Sequence, residues 1–444
     1  MQPLPSALLP LAALLLLLAA PLAAQPHPGD EGRDPASSIT AAEIGEHVEV
    51  LASDLFEGRE SGTRGERRAA AYIVAQLEAC AALQPDGPQG AWLQPFEIPL
   101  HDGTATAHNI LARLPGSDPA LAHECLVVGA HYDHVGFGES RNTLDPGVHE
   151  IHNGADDNGS GSAALLDLAT SLAGSGWRSR RTILFQWYSG EELGLLGSRN
   201  WIAHPTHPLA DVLLMVNMDM VGRLTGRTLV VGGTGTAPGL SELARAACDE
   251  LGLVMIDDPP GGAPSDNSSF YDAGVPALFL FTGLHEDYHR AGDDSHKLDL
   301  PGARDVARLA ERVVRELDAR DARPEFRRSP GMANVFTPRR YLGAAFEDAA
   351  PPAPASVRLA VLIPGSPAER AGLREGDLLA EAGGAPLADV AAMEALLRLA
   401  PGPAGPLQLT LWRERAGEPA ERDGTRVQAR SWERVELSVP LVVR

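Results

Sequence analysis

Between residues 107 and 281, short apolar runs alternate with helical stretches, and that alternation leaves few architectures open to the chain. The runs 107–114, 124–130, 182–187, 212–218, 228–231 and 277–281 are short, and β-branched or aromatic residues recur in them, so they read as buried strands. Residues 160–172, 238–251 and 304–320 carry helical spacing. Strands that alternate with helices imply an α/β fold whose sheet is mostly parallel and covered on both faces. Ligands of such sheets sit beyond the C-terminal strand ends. Upstream, residues 40–51 read as a helix opened by a capping box of Thr40 and Glu43, and residues 66–83 as a second amphipathic helix.

The chemistry-bearing residues fall at those strand ends. Arg181 to Trp187 runs directly into Tyr188-Ser189-Gly190-Glu191-Glu192, where a glycine lets the backbone turn and two adjacent carboxylates emerge. Neighbouring side chains on such a turn point in different directions, so one can bind a metal while the other stays free as a base. A solvated acidic turn is the plainer reading of Glu-Glu alone, and the company of other motifs overrides it. Val127 to Ala130 ends in His131-Tyr132-Asp133. A ligating imidazole needs its second nitrogen held, which assigns His131 to a metal and Asp133 to its support. Gly154-Ala155-Asp156-Asp157-Asn158 precedes a helix, and its small residues let the backbone pass near an ion. Asp156 is the residue that could bridge two ions, with Asp157 or Asn158 read as helix caps. Asn217-Met218-Asp219 adds a further carboxylate, and His285 and His289 compete for one more position.

Taken together and in order, HYDHVG, NGADDNGSG, SGEELGLLGS, NMDMVGR and YHRAGDDSHKLD resemble the two-zinc aminopeptidase family, which also holds glutamate carboxypeptidases and glutaminyl cyclases. Leu51-Ala52-Ser53-Asp54, Glu57-Gly58-Arg59 and Gly62 to Glu66 resemble its N-terminal segment, so the likeness runs from about Thr40 to Ala319. The resemblance implies a zinc exopeptidase fold with two Zn2+ ions per chain. Asp156 would bridge them, His131 and Asp219 would complete one shell, and Glu192 and His289 the other. Glu191 would be the general base. His134, His149, His152, His285 and His296 are read as rim or supporting residues, and Ser265-Asp266 as part of the pocket. Residues 363–379 resemble a PDZ domain of the bacterial protease-associated kind, with Tyr341 to Ala344 as the loop that would hold a peptide C-terminus.

Composition sets the context. A formal net charge of −22 on 444 residues disfavours nucleic acid and anionic membrane surfaces as partners. Basic residues are almost all Arg, with Lys297 the only lysine. The apolar run from Leu8 to Ala24 reads as an export signal, and no stable membrane insertion is expected after its cleavage. No basic residue precedes that run, which keeps an uncleaved anchor as the alternative. Cys80, Cys125 and Cys248 lack zinc or redox spacing, and three cysteines leave at least one unpaired.

The domain reading is a signal peptide at 1–24, a lead-in at 25–39, a zinc peptidase domain at 40–322, a Pro-marked linker at 323–337 and a small β-rich PDZ domain at 338–444. The expected function is an exported, periplasmic or extracellular metallo-aminopeptidase that acts on peptides. A carboxypeptidase, a cyclase and an inactive peptide-binding relative are the alternatives.

Overall fold

The computed structural model describes residues 38–444 other than 101–102, 140–141, 146, 332–339, 342–343, 350–354, 363–366, 391, 394–405, 423–424, 440–441 and 444. The signal-peptide reading, nearly all of the 25–39 lead-in and part of the linker lie outside the described residues, as do Leu342 and Gly343 of the peptide-holding loop. Among the described residues no helix is long and apolar enough to cross a membrane.

Helix α1 (Ala41–Leu51) begins as its sequence dictates. Thr40 Oγ1 accepts the N–H of Glu43 and donates to its carboxylate, so Thr40 caps the helix, while its own N–H goes to Asp167 rather than back to Glu43. Helix α2 (Arg64–Ala79) follows, with Thr63 as its cap. A short edge strand β1 (Gln84–Pro85) precedes a hairpin of β2 (Leu93–Leu100) and β3 (Gly103–Leu114). Then come β4 (Cys125–His131), α3 (Gly161–Gly174), β5 (Thr182–Tyr188), α4 (Leu196–Ala203) and β6 (Val212–Met218). The unit ends with β7 (Thr228–Gly232), α5 (Leu240–Glu250), β8 (Val254–Asp258), α6 (Asn267–Asp272), β9 (Ala277–Phe281) and α7 (Leu300–Ala319).

These nine strands form one mixed sheet in the order β1-β3-β5-β4-β6-β9-β7-β8, with β2 paired to β3. Its centre, β5-β4-β6-β9, is parallel, and the flanking β3–β5 and β7–β9 pairs are antiparallel. Both faces of the centre are buried, which the continuous apolar character of β4, β5 and β6 requires. Leu126, Val128 and Ala130 of β4 pack with α1, α3 and α7 in the larger core. Cys125 and Val127, pointing the other way, pack with Trp201 of α4 and Phe270 of α6, whose rings stack 5.3 Å apart. All three cysteines are free.

Where α1, α3 and α7 meet, Asp167 of α3 accepts the backbone N–H of Thr40 from a buried position. Burial, with Glu43 adding repulsion, raises its carboxyl to about 8. A carboxyl raised on folding stabilises fully below its unfolded value near about 3.9 and loses that contribution as pH climbs to about 8, at up to about 1.4 kcal/mol per unit. Asp167→Asn keeps an acceptor for Thr40 but has no proton to release. Its thermal midpoint should therefore gain on the wild type between pH 5 and pH 8; a constant difference across that range contradicts the assignment.

In the C-terminal segment, strands Ala344–Asp348, Val357–Leu362, Leu378–Ala382, Leu407–Arg422 and Thr425–Val439 lie side by side, all antiparallel, around a small core that includes Val357, Leu359, Leu379 and Leu411. Arg413 grips the buried Asp377 carboxylate with two hydrogen bonds, 2.8 and 2.6 Å long. This is the β-rich unit the sequence predicts.

Candidate metal centre

The four central parallel strands deliver the candidate residues to one place. His131 is the last residue of β4. Beyond β5 the chain turns at Gly190, φ +70°, and presents Glu191 and Glu192. A Cβ at Gly190 would stand 3.1 Å from that of Leu196, so the turn suits glycine in both conformation and space. Asp219 follows β6, tied to β9 by its N–H to the Leu280 carbonyl. His289 comes from the loop after β9 and sits in the left-handed region at φ +53°.

Two groups of donor atoms form. Those of His131, Glu191 and Asp219 lie within 4.8 Å of one another, as do those of His134, Asp157 and Glu192. His131 Nε2 is 3.2 Å from Asp219 Oδ1 and 3.4 Å from Asp157 Oδ1. His289 Nε2 is 3.0 Å from both Asp157 Oδ2 and Glu192 Oε2. One carboxylate thus spans two imidazoles. Each ring has its other nitrogen engaged: His131 Nδ1 lies 3.2 Å from the Asp133 backbone oxygen, and His289 Nδ1 lies 2.7 Å from that of Asn142. With hydrogen on Nδ1, each Nε2 keeps its lone pair for a ligand.

The spanning carboxylate is Asp157, which corrects the expectation for Asp156. Asp156 Oδ1 accepts the N–H of Gly222 at 2.6 Å and the hydroxyl of Ser160 at 3.0 Å, and its Oδ2 faces His285. The cause is local. Residues 155–160 form an irregular turn in which Asp157 is extended, at φ −104° and ψ 97°, so consecutive side chains leave on different sides. Asn158, by contrast, does serve the helix: its Oδ1 accepts the N–H of Gly161.

Asp133 sits behind the cluster and faces more than His131. Its Oδ1 is 3.7 Å from His131 Nδ1, and its carboxylate also accepts the N–H groups of Glu191 and Glu192. Ser61, from the glycine-rich loop before α2, donates to the same carboxylate at 2.8 Å. Ser265 Oγ donates to Asp219 Oδ2 and receives from Asn217, while its neighbour Asp266 is buried.

The electrostatics call for positive charge. Burial would lower the His289 imidazole, yet Glu192 and Asp157 outweigh it and raise it to about 11. Burial would raise Glu192, but His289 and His134 bring it to about 2. Glu191 is different: burial, with Glu192, Asp219 and Asp266 adding repulsion against the pull of His131, pushes its carboxyl well above the usual range. Asp266 rises to about 7, chiefly by burial. So many buried carboxylates in one place are stable only when compensated. The donor set is imidazole and carboxylate, which suits zinc.

The other histidines divide. His149 is exposed and near Glu139, and His296 is exposed. His152 is buried and held by Glu150 and Thr143. His134, read from sequence as a rim or supporting residue, lies inside the second donor group. Sequence reading also missed Asn142, whose amide donates to the Glu192 backbone oxygen and stands 3.3 Å from Glu192 Oε2. Nothing in the sequence near Asn142 marks it.

Comparison with known proteins fits this arrangement. The model of peptidase family M28 matches residues 109–314, and that of the PDZ domain matches residues 359–405. Leupeptin-inactivating enzyme 1 of Streptomyces exfoliatus is 28% identical over 286 residues, which cover 63% of this chain and 56% of that protein. A probable leucine aminopeptidase of Trichophyton verrucosum is 28% identical over 288 residues, covering 63% and 74%. The crystal structure of a Zn-dependent exopeptidase from Parabacteroides distasonis superposes with a TM-score of 0.52 at 18% identity, covering 63% of this chain and 99% of that one, and shares the fold. Over residues 109–314 the chain is similar to peptidase family M28, and over residues 359–405 to the PDZ domain.

Proposed function

We propose that this protein is an exported, zinc-dependent aminopeptidase that releases N-terminal residues from peptides. The observation that carries the reading is Asp157, one oxygen toward His131 Nε2 and the other toward His289 Nε2. One zinc would be held by His131, Asp219 and Asp157, and a second by His289, Glu192 and Asp157. Bound there, the ions would acidify a water and polarise the scissile carbonyl. Glu191 takes the water's proton and passes it to the departing amine. Asp133 keeps Glu191 and Glu192 in place through their backbone N–H groups, so the two neighbours keep separate orientations. Support for peptide substrates comes from the family, and support for export from the apolar run at Leu8 to Ala24. The PDZ domain adds a sheet edge at which a peptide C-terminus joins as a strand.

Zinc analysis of the purified protein, paired with a peptide panel, tests the reading. Close to two zinc equivalents are expected, with cleavage of free-amine substrates and none of N-blocked ones. One equivalent with cyclisation of N-terminal Gln would favour the cyclase, and zinc binding without turnover the inactive relative. The same panel, with free and amidated C-termini, reports on the PDZ edge.

A further inference from the structure

His134 lies between two of the motif turns and has no part in the reaction as proposed. It is 1% exposed, and its ring packs on the turn that carries Asp157: a Cβ at Gly154 would come within 2.4 Å of His134 Cδ2 and 2.5 Å of Cγ. On the other side, Nδ1 stands 3.2 Å from Glu192 Oε1 and 3.8 Å from Asp157 Oδ2. The ring meets His289 edge-on, with centroids 5.7 Å apart. Nε2 is buried and has no hydrogen-bond partner among the described residues.

That last fact separates two roles. An imidazole that ligates through one nitrogen donates its other N–H to a carbonyl or carboxylate. His131 and His289 both have such a partner at Nδ1, whereas His134 has none at Nε2. Ligation through Nδ1 would leave Nε2–H as a buried donor with nothing to bond. The other tautomer carries its hydrogen on Nδ1, facing Glu192 Oε1, and leaves Nε2 only a lone pair. Glu192 is then held at Oε1 by His134, and its Oε2 is turned toward His289 Nε2, 3.0 Å away. We infer that His134 is a positioning residue: it donates from Nδ1 to Glu192 Oε1 and so fixes which oxygen of Glu192 faces the ion shared with His289. The inference rests on the reading of Glu192 as a zinc ligand.

Zinc affinity measured by chelator competition tests it without any substrate. Asn at this position places an N–H where the imidazole Nδ1 stands, whereas Leu fills the space without one. His134→Leu should bind its second zinc about 10–100-fold more weakly, the usual cost of losing a partner behind a ligand. His134→Asn should recover most of that loss. Wild-type affinity in a folded His134→Leu overturns the inference, and so does a His134→Asn variant as weak as His134→Leu, because His134 would then act as a ligand or a spacer. Should His134→Leu fail to fold, His134→Gln replaces it, since its amide lies one carbon beyond the Nδ1 position; equal affinity of the Asn and Gln variants sinks the idea. A wild type that binds no zinc refutes the parent reading instead.

Discussion

Asp157→Ala is expected to lose zinc from both sites, while Asp156→Asn keeps close to two equivalents. The contrast follows from the opposite directions of two adjacent side chains. Asp157 alone offers one oxygen to the His131 side and one to the His289 side. Without it each remaining half-site has one imidazole and one carboxylate, below the three protein ligands of catalytic zinc sites. The rate should fall by more than the roughly 10–100-fold that outer-shell partners cost. Asp156→Asn retains an Oδ1 acceptor for Gly222 N–H and Ser160 Oγ, the bonds Asp156 makes in the fold. Metal content by mass spectrometry and kcat on one aminoacyl amide decide the matter. If Asp156→Asn loses zinc and Asp157→Ala keeps it, the shared carboxylate is Asp156.

The second large effect separates Glu191 from Glu192. Glu191→Ala should hold its zinc and lose kcat by ~10²–10⁴-fold, because proton transfer develops in the transition state. Glu192→Ala should lose an ion, since Glu192 Oε2 is one of two carboxylate oxygens 3.0 Å from His289 Nε2. The backbone of both residues is anchored by Asp133 whichever side chain is removed, so neither variant should disturb the turn. Reversal of the two zinc contents would exchange the roles; normal turnover in both would remove this stretch from the chemistry.

Most of the cluster was legible because a parallel sheet forces it. Once 182–187 and 212–218 read as buried strands, the residues that follow must emerge on the same edge, and Glu191, Glu192 and Asp219 do. Asp156 and Asp157 were not separable in that way. They lie in an irregular turn, where side-chain direction is set by individual φ and ψ values rather than by a period. The surroundings of His134 were not legible for a related reason: its ring meets Gly154 and Glu192, both far from it in sequence. Strand β2 was missed because Pro95 and Pro99 argue against a ladder, a rule that relaxes at an edge strand paired on one side. Strand β8, at the opposite edge, keeps Val254 and Ile256 exposed and so lacks a buried strand's signature.

Arg59 joins the beginning of the described chain to its chemistry. It is 1% exposed, and its guanidinium donates to the backbone oxygens of Leu51, Tyr132, Asn153 and Gly154 at 2.7–2.8 Å. Two of those carbonyls belong to the turn that leads into Asp157, and one follows His131 directly. The match to the family model starts at residue 109, yet the clasp that ties its loops together comes from 50 residues earlier. A fragment that keeps this clasp therefore cannot be cut at residue 109. Anyone transplanting the site to another scaffold would have to carry α1 and the Arg59 loop along with it.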